Sequence, residues 1–284
     1  MNSITPMTTP SIFIPEEIQQ HLGSGDAFQQ IMHMQGQVFR DVRGRKTIMV
    51  ELGGNRYFIK QHFGVGWKEI FKNLVTFRRP IIGAKTEMLA IRKLDEIGIA
   101  TTPFVAFGEK GSNPATLRSF LITKDLGDII SLEELAADWQ KNPPDMKFKR
   151  QLIIAVARLA RNLHANGMNH RDFYLCHLCL DAKAFSQSQI KLYLIDLHRM
   201  QIHHKPYNKG NMKDIAALYF SSLDTGLSVR DYLRFKHYYG KGLTGDSSSF
   251  WQDVVQRANG LYKKFHSDKF QKRLQLEKGA LKNE

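Results

Sequence analysis

The sequence predicts an α+β chain in two parts, a small antiparallel β-sheet lobe followed by a larger, mainly helical lobe. Three observations carry this reading. Before residue 127, short apolar runs of strand character alternate with turn signals. After it, helical periodicity dominates. A length of 284 residues suffices for a sizeable core. The boundaries read as an N-terminal extension over 1–36, a β-rich lobe over 37–127, and a helical lobe over 128–284 ending in a basic tail.

The extension is polar and Pro-containing at first, then weakly helical. VFRDV and TIMVEL flank the turn RGRK, and RYFIKQHF follows Gly53-Gly54, which gives three antiparallel strands. Residues 84–97 carry Met88, Leu89, Ile91, Leu94 and Ile97 on one helical stripe, and Gly98 ends the helix. TPFVAFGE and RSFLITKD add two strands around the turn GSNP. In the second part, Ser131 and Glu134 form the pattern of a capping box. Asn142-Pro143-Pro144 breaks the chain, and residues 147–166 form an amphipathic helix ending near Gly167. The strand IKLYLID, a loop and further helices complete the lobe.

Composition narrows the partners. The formal net charge is +14, and between Arg40 and Lys85 11 Lys/Arg stand against 3 Asp/Glu. Such a field attracts phosphates, nucleic acid, acidic proteins or an anionic lipid surface, or simply faces solvent. The start of the chain lacks the basic and apolar regions of a secretory signal, and no run of about 18 apolar residues occurs. The default address is the cytoplasm.

The richest chemistry lies in NHRDFYLCHLCL, Asn169 to Leu180. A long apolar helix ends, His170-Arg171-Asp172 follows, a short strand comes next, and LYLIDLH delivers Asp196 at the end of another apolar strand. That order is the layout of a protein-kinase catalytic loop and metal-binding Asp. Asp172 would meet the acceptor hydroxyl, Asp196 would hold Mg²⁺ on the phosphates of ATP, and a hairpin would bring both to one cleft. Upstream, Lys60 ends the strand RYFIK and Glu87 sits on the helix AKTEMLAIRKL, the places of a phosphate-binding Lys and its carboxylate partner. Asp214 opens the helix KDIAALYF, where it can buttress the catalytic loop or simply favour the helix dipole.

Cys176 and Cys179, with His170 and His177 nearby, raise the alternative of a zinc clip. Structural zinc usually takes two separated ligand pairs, whereas these four lie within ten residues, and Cys179 has apolar neighbours. Incidental cysteines are the favoured reading.

The segments PIIGAKTEMLAIRKLDEIGI, GMNHRDFYLCHLCLD, LYLIDLHRMQI and KDIAALYFSSLDTGL resemble the lipopolysaccharide core heptose(I) kinases of Gram-negative bacteria. The resemblance runs from about residue 38 to 240 and is most specific in NHRDFYLCH and LIDLHRMQ. It implies a bilobal protein-kinase-like fold, ATP and Mg²⁺ as cofactors, and a heptose of the lipid A–core oligosaccharide as acceptor. Adenine is expected near Lys124, Asp125 and Leu126. Arg171, His198 and Arg199 are candidates for shaping the loop or meeting acceptor phosphates. The chain departs from ordinary protein kinases in four places. His177 stands where a metal-binding Asn is expected, His198 where a Gly is expected, no G-x-G-x-x-G loop occurs, and Asp196 is followed by a short segment. His177 can ligate metal or hydrogen-bond within the loop.

The resemblance also implies peripheral contact with the anionic inner-membrane surface and an association with acyl carrier protein, an acidic partner. GVGWKEIFKNLVTFRR suits an interfacial amphipathic helix or a core-facing one. Nucleic acid is not expected, since no binding motif accompanies the charge. The rival readings are a kinase for another acceptor (Kdo, another core sugar or a protein) and a non-catalytic basic scaffold.

Overall fold

The computed structural model describes residues 11–42, 44–75, 80–206, 208–241, 248–272 and 275. The chain forms two compact units. The first comprises the chain to Glu96 with Thr101–Gly127 and Leu197–Arg199; the second comprises Ile97–Ala100, Asp128–Asp196 and the chain from Met200.

The first unit is built on strands β1 (Ile12–Phe13), β2 (Gln37–Val42), β3 (Arg45–Leu52), β4 (Asn55–His62), β5 (Phe104–Lys110) and β6 (Arg118–Lys124), with helices α1 (Glu16–Gln19), α2 (Ala27–His33), α3 (Gly66–Val75) and α4 (Lys85–Glu96). The strands form one antiparallel sheet in the order β1-β5-β6-β4-β3-β2. Alternation along the strands sends Ile48, Val50, Tyr57, Ile59, Phe120 and Ile122 to one face, where they pack with Ile18, Phe28, Ile31 and Met32. Residues 11–36, expected as an extension, are thus integral to this unit: β1 pairs with β5, and α1 and α2 cover the sheet. The apolar set Phe28, Ile31, Met32 has helical spacing, but one short helix gives too brief a period to stand out in the sequence. The turn expected over RGRK is tighter than read. Val42 pairs directly with Arg45, so Arg45 and Lys46 belong to β3.

Helix α4 serves the opposite face. The amide of Ala84 donates to Ser119 Oγ at 3.0 Å, fixing the helix start over β6. Its stripe buries Met88, Ile91 and Leu94, and Gly98 follows with φ +70°. The short 3-10 turn Leu197–Arg199 packs on this helix, with Leu197 fully buried.

The second unit contains strands β7 (Ile129–Ser131), β8 (Met168–Asn169), β9 (Leu178–Asp181), β10 (Leu192–Leu194) and β11 (Gln201–Ile202), and helices α5 (Leu132–Ala136), α6 (Met146–Ala165), α7 (Ala182–Ser186), α8 (Lys209–Ser222), α9 (Val229–Gly240) and α10 (Ser248–Phe265). The capping box of Ser131 and Glu134 forms as read from the sequence. Asp145 caps α6 by accepting from the Phe148 amide, and the helix buries Leu152, Val156, Ala160 and Leu163 along one face. Helix α9 packs on α6, and α10 on α8. Between them lies a cavity of about 400 Å³ lined mainly by apolar side chains, among them Leu152, Leu218, Tyr232, Phe235 and Trp251. β9 is the centre of a small sheet, β10-β9-β7, and β8 pairs with β11. These strands frame the loop of interest.

Candidate active site

In the first unit, Lys60 and Glu87 meet. Lys60 Nζ lies 2.5 Å from Glu87 Oε1, and the Glu87 side chain is only 4% exposed. A carboxylate so deeply buried is tolerable because the ammonium neutralises it. The strand sets the direction of Lys60. Gln61, next along β4, donates to the carbonyls of Ile31 and Met34 on the α2 side, so Lys60 points to the α4 side.

In the second unit, the loop after β8 hangs on Asp214. Its Oδ2 accepts from the His170 amide at 2.7 Å and its Oδ1 from the Arg171 amide at 2.9 Å. Asp214 is 1% exposed, and His164 Nε2 approaches the same carboxylate at 3.3 Å while its Nδ1 meets the Tyr239 hydroxyl at 2.8 Å. α8 begins at Lys209, so Asp214 lies past its first turn and the hydrogen bonds to the loop, rather than the helix dipole, account for its place. Arg171 has φ +76° and Asp196 φ +62°. A non-glycine residue held in the left-handed region stores backbone strain, which clusters at functional sites. Of the three such residues among those described, Ser188 lies elsewhere, Arg171 directly precedes Asp172, and the third is Asp196 itself.

Two imidazoles join the loop to the strand that carries Asp196. His170 Nε2 lies 2.9 Å from the Ile195 carbonyl, and the Ile195 amide donates to the His177 carbonyl at 3.0 Å. Burial holds His170 below the usual imidazole range, so the neutral ring donates through Nε2. His177 Nδ1 sits 2.6 Å from the Asp172 carbonyl, which can only accept, and its Nε2 faces Asp196 Oδ2 at 3.4 Å. With Nδ1 donating, Nε2 confronts the carboxylate either as a second N–H or as a lone pair. In the second state a cation between them would relieve the repulsion, so these are two side chains that could hold a metal ion.

Lys124 and Asp125 have their amides engaged, by the carbonyls of Pro103 and Arg56, and Arg56 Nε pairs with Asp125 Oδ2 at 2.9 Å. Leu126 follows in the same stretch, before Gly127 with φ +73°. His198 and Arg199 lie in the 3-10 turn on α4. The cysteines are free, and burial pushes both thiols up to about 11. Protonated thiols are poor ligands and poor nucleophiles. Among the described residues, no group of three or more His, Cys, Asp or Glu is placed to hold a metal ion.

The sequence profile described as "Lipopolysaccharide kinase (Kdo/WaaP) family" matches residues 29–239. The chain belongs to the lipopolysaccharide kinase (Kdo/WaaP) family. Two lipopolysaccharide core heptose(I) kinases named WaaP are similar to it. That of Pseudomonas aeruginosa is 45% identical over 79% of this chain and 84% of its own length. That of Escherichia coli is 43% identical over 83% and 87%. A solved structure, WaaP in complex with acyl carrier protein, superposes with a TM-score of 0.75 at 36% identity, covering 88% of this chain and 99% of the other. The fold expected from the sequence, the kinase-like α+β architecture, is therefore the fold of this family member.

The supports of the loop are less legible in the sequence. His164, His170 and the pair Asn169–Asn211 (2.7 Å) hold the loop, yet none was singled out for that role. His164 lies on the buried face of α6, where a lone polar residue amid apolar ones was the available signal.

Proposed function

We propose that this chain is a phosphotransferase moving the γ-phosphoryl group of ATP to a hydroxyl of the first heptose of the lipopolysaccharide inner core. The observation that carries the reading is the likeness to named heptose(I) kinases across about four-fifths of the chain. Kinship with proteins named for this reaction makes ATP the donor. The finer assignments are these. Lys60, held by Glu87, binds donor phosphates. Asp172 orients the sugar hydroxyl and accepts its proton. Asp196, with His177 beside it, holds Mg²⁺, which when bound neutralises phosphate charge. Asp214 keeps the loop in place, and Arg171 owes its backbone conformation to it. His198 and Arg199 remain assigned to loop shaping or acceptor phosphates. The adenine contacts of Lys124, Asp125 and Leu126 fall to carbonyls and to Leu126, because two amides of that stretch are engaged. Positioning and charge neutralisation suffice for this chemistry.

The acceptor is membrane-anchored, and we place the enzyme at the cytoplasmic face of an anionic bilayer. Supporting this, Trp67 and Phe71 on α3 are 50% and 58% exposed beside Lys68 and Lys72. Exposed aromatics among lysines suit an interface better than a core-facing helix. The side chains of Leu74, Arg78 and Arg79, part of the same motif, lie outside the described residues. Among the described residues no helix is long and apolar enough to cross a membrane. Acyl carrier protein is a proposed partner, since the similar solved WaaP is in complex with one. The basic surface suits an acidic protein, and the apolar cavity of the second unit suits an acyl chain. Mass spectrometry of core oligosaccharide after incubation with enzyme, Mg²⁺ and ATP tests the function. A new phosphoryl group on the first heptose supports it, and a phosphoryl group on Kdo alone replaces the acceptor.

A further inference from the structure

The hairpin between β2 and β3 closes with Val42 paired directly to Arg45. No room exists there for a long glycine-rich flap whose amides could wrap phosphate. Its backbone is pinned as well. Gly44 has φ +77°, a Cβ there would lie 2.6 Å from the Gly64 carbonyl oxygen, and the Gly44 carbonyl accepts from Phe63 at 2.9 Å. Side chains are therefore the candidates for phosphate recognition beside this hairpin.

The register shows which ones. Arg45 stands opposite His62, and Thr47 opposite Lys60. The intervening pair, Lys46 and Gln61, faces the α2 side: Lys46 Nζ contacts Gln35 Oε1 at 3.4 Å and Gln61 donates to Ile31 and Met34. Alternation then sends Arg45, His62 and Lys60 together to the α4 face. His62 is only 5% exposed, and its Nδ1 has no hydrogen-bond partner among the described residues. Arg45, Lys60 and His198 all act on His62 as neighbouring positive or titratable groups. Glu87 pairs with Lys60, so that carboxylate is already engaged. The result is a concentration of basic side chains around a buried imidazole, at the mouth of a hairpin where kinase-like chains meet nucleotide phosphate.

We propose that Arg45 binds the β and γ phosphates of the nucleotide, with His62 as the positioning residue beneath it. The inference rests on the phosphotransferase reading and deepens it. A guanidinium offers paired N–H donors to phosphate and replaces the amides a flexible flap would supply. His62 stands directly across the ladder from Arg45 and two residues along β4 from Lys60, so its ring neighbours both cations.

The test compares ATP with adenosine on wild-type enzyme and on Arg45→Ala, Arg45→Gln and Arg45→Lys, by calorimetry and by steady-state kinetics. In Arg45→Ala and Arg45→Gln, ATP affinity should fall about ten- to hundredfold, the loss expected for charge-assisted bonds. Adenosine affinity and the KM for the acceptor should hold within about twofold, and Arg45→Lys should recover part of the loss. His62→Gln should raise the KM for ATP less, at unchanged adenosine affinity. Unchanged ATP affinity in the Arg45 variants, with phosphoryl transfer intact, overturns the inference and leaves the function standing. Equal loss of ATP and adenosine overturns it too, as structural damage. Wild-type enzyme that binds no ATP overturns both.

Discussion

The Asp214 carboxylate accepts from the amide of Arg171 at 2.9 Å, and Arg171 carries the left-handed φ of +76° that directs the following Asp172. The strain at Arg171 persists because the buried carboxylate of Asp214, on α8, fixes this loop peptide from behind. Asp214→Asn keeps the shape but presents an amide to at least one donor. Leaving a buried donor unmet costs about 1–3 kcal/mol. Thermal melting should fall accordingly, and kcat should drop at least about tenfold, while the Kd for ATP stays within about twofold. Unchanged kcat would remove Asp214 from loop support.

The ion pair of Lys60 and Glu87 predicts non-additivity. Lys60→Met and Glu87→Gln should each lower kcat/KM by about a hundredfold or more. The double variant should be little worse than the worse single one, because the second change removes a partner already lost. Additive losses in the double-mutant cycle would mean that the two act separately.

Buried His62 predicts an acid limb in stability. Burial first, then the charges of Arg45, Lys60 and His198, hold its pKa down to about 4 from 6.5. The unfolded chain binds this proton from pH 6.5 downward and the folded chain only near pH 4, so stability is full above 6.5 and lost between those values. The linkage amounts to about 3 kcal/mol once both states are protonated. Urea unfolding at neutral and acid pH should show His62→Gln losing less stability on acidification than wild type. Parallel losses would assign the acid limb to other groups.

Legibility in the sequence followed range. Lys60 at a strand end and Glu87 on a periodic helix are legible from local patterns set against a kinase-type order of elements. The His170-Arg171-Asp172 order and the strand before Asp196 were read the same way. Less visible was what depends on distant segments. The capture of α2 by the sheet requires Ile31 and Met32 to find Ile48 and Ile59. The hold of His170 on the Ile195 carbonyl, and the opposition of Arg45 to His62, are set by strand register rather than by residue type. The turn RGRK was read by composition, and pairing between Val42 and Arg45 moved two of its residues into the strand.

The exposed aromatics of α3 predict a surface role. The rings of Trp67 and Phe71 lie tilted to one another with centroids 5.8 Å apart on the exposed side, while Ile70 is buried. Trp67→Ser with Phe71→Ser should leave melting unchanged within about 2 °C, since exposed substitutions change stability little. Co-sedimentation with vesicles containing anionic lipid should fall several-fold. Equal sedimentation of variant and wild type would remove α3 from membrane contact.

We propose that Asp172 serves phosphoryl transfer from ATP to the first heptose of the core. The most direct measurement offers labelled ATP and heptose-terminated core acceptor to wild-type enzyme and to Asp172→Ala, with circular dichroism as the control for folding. Label is expected on the heptose with wild type, with a loss of about a thousandfold or more in the variant, which stays folded. Transfer by folded Asp172→Ala at the wild-type rate would contradict it.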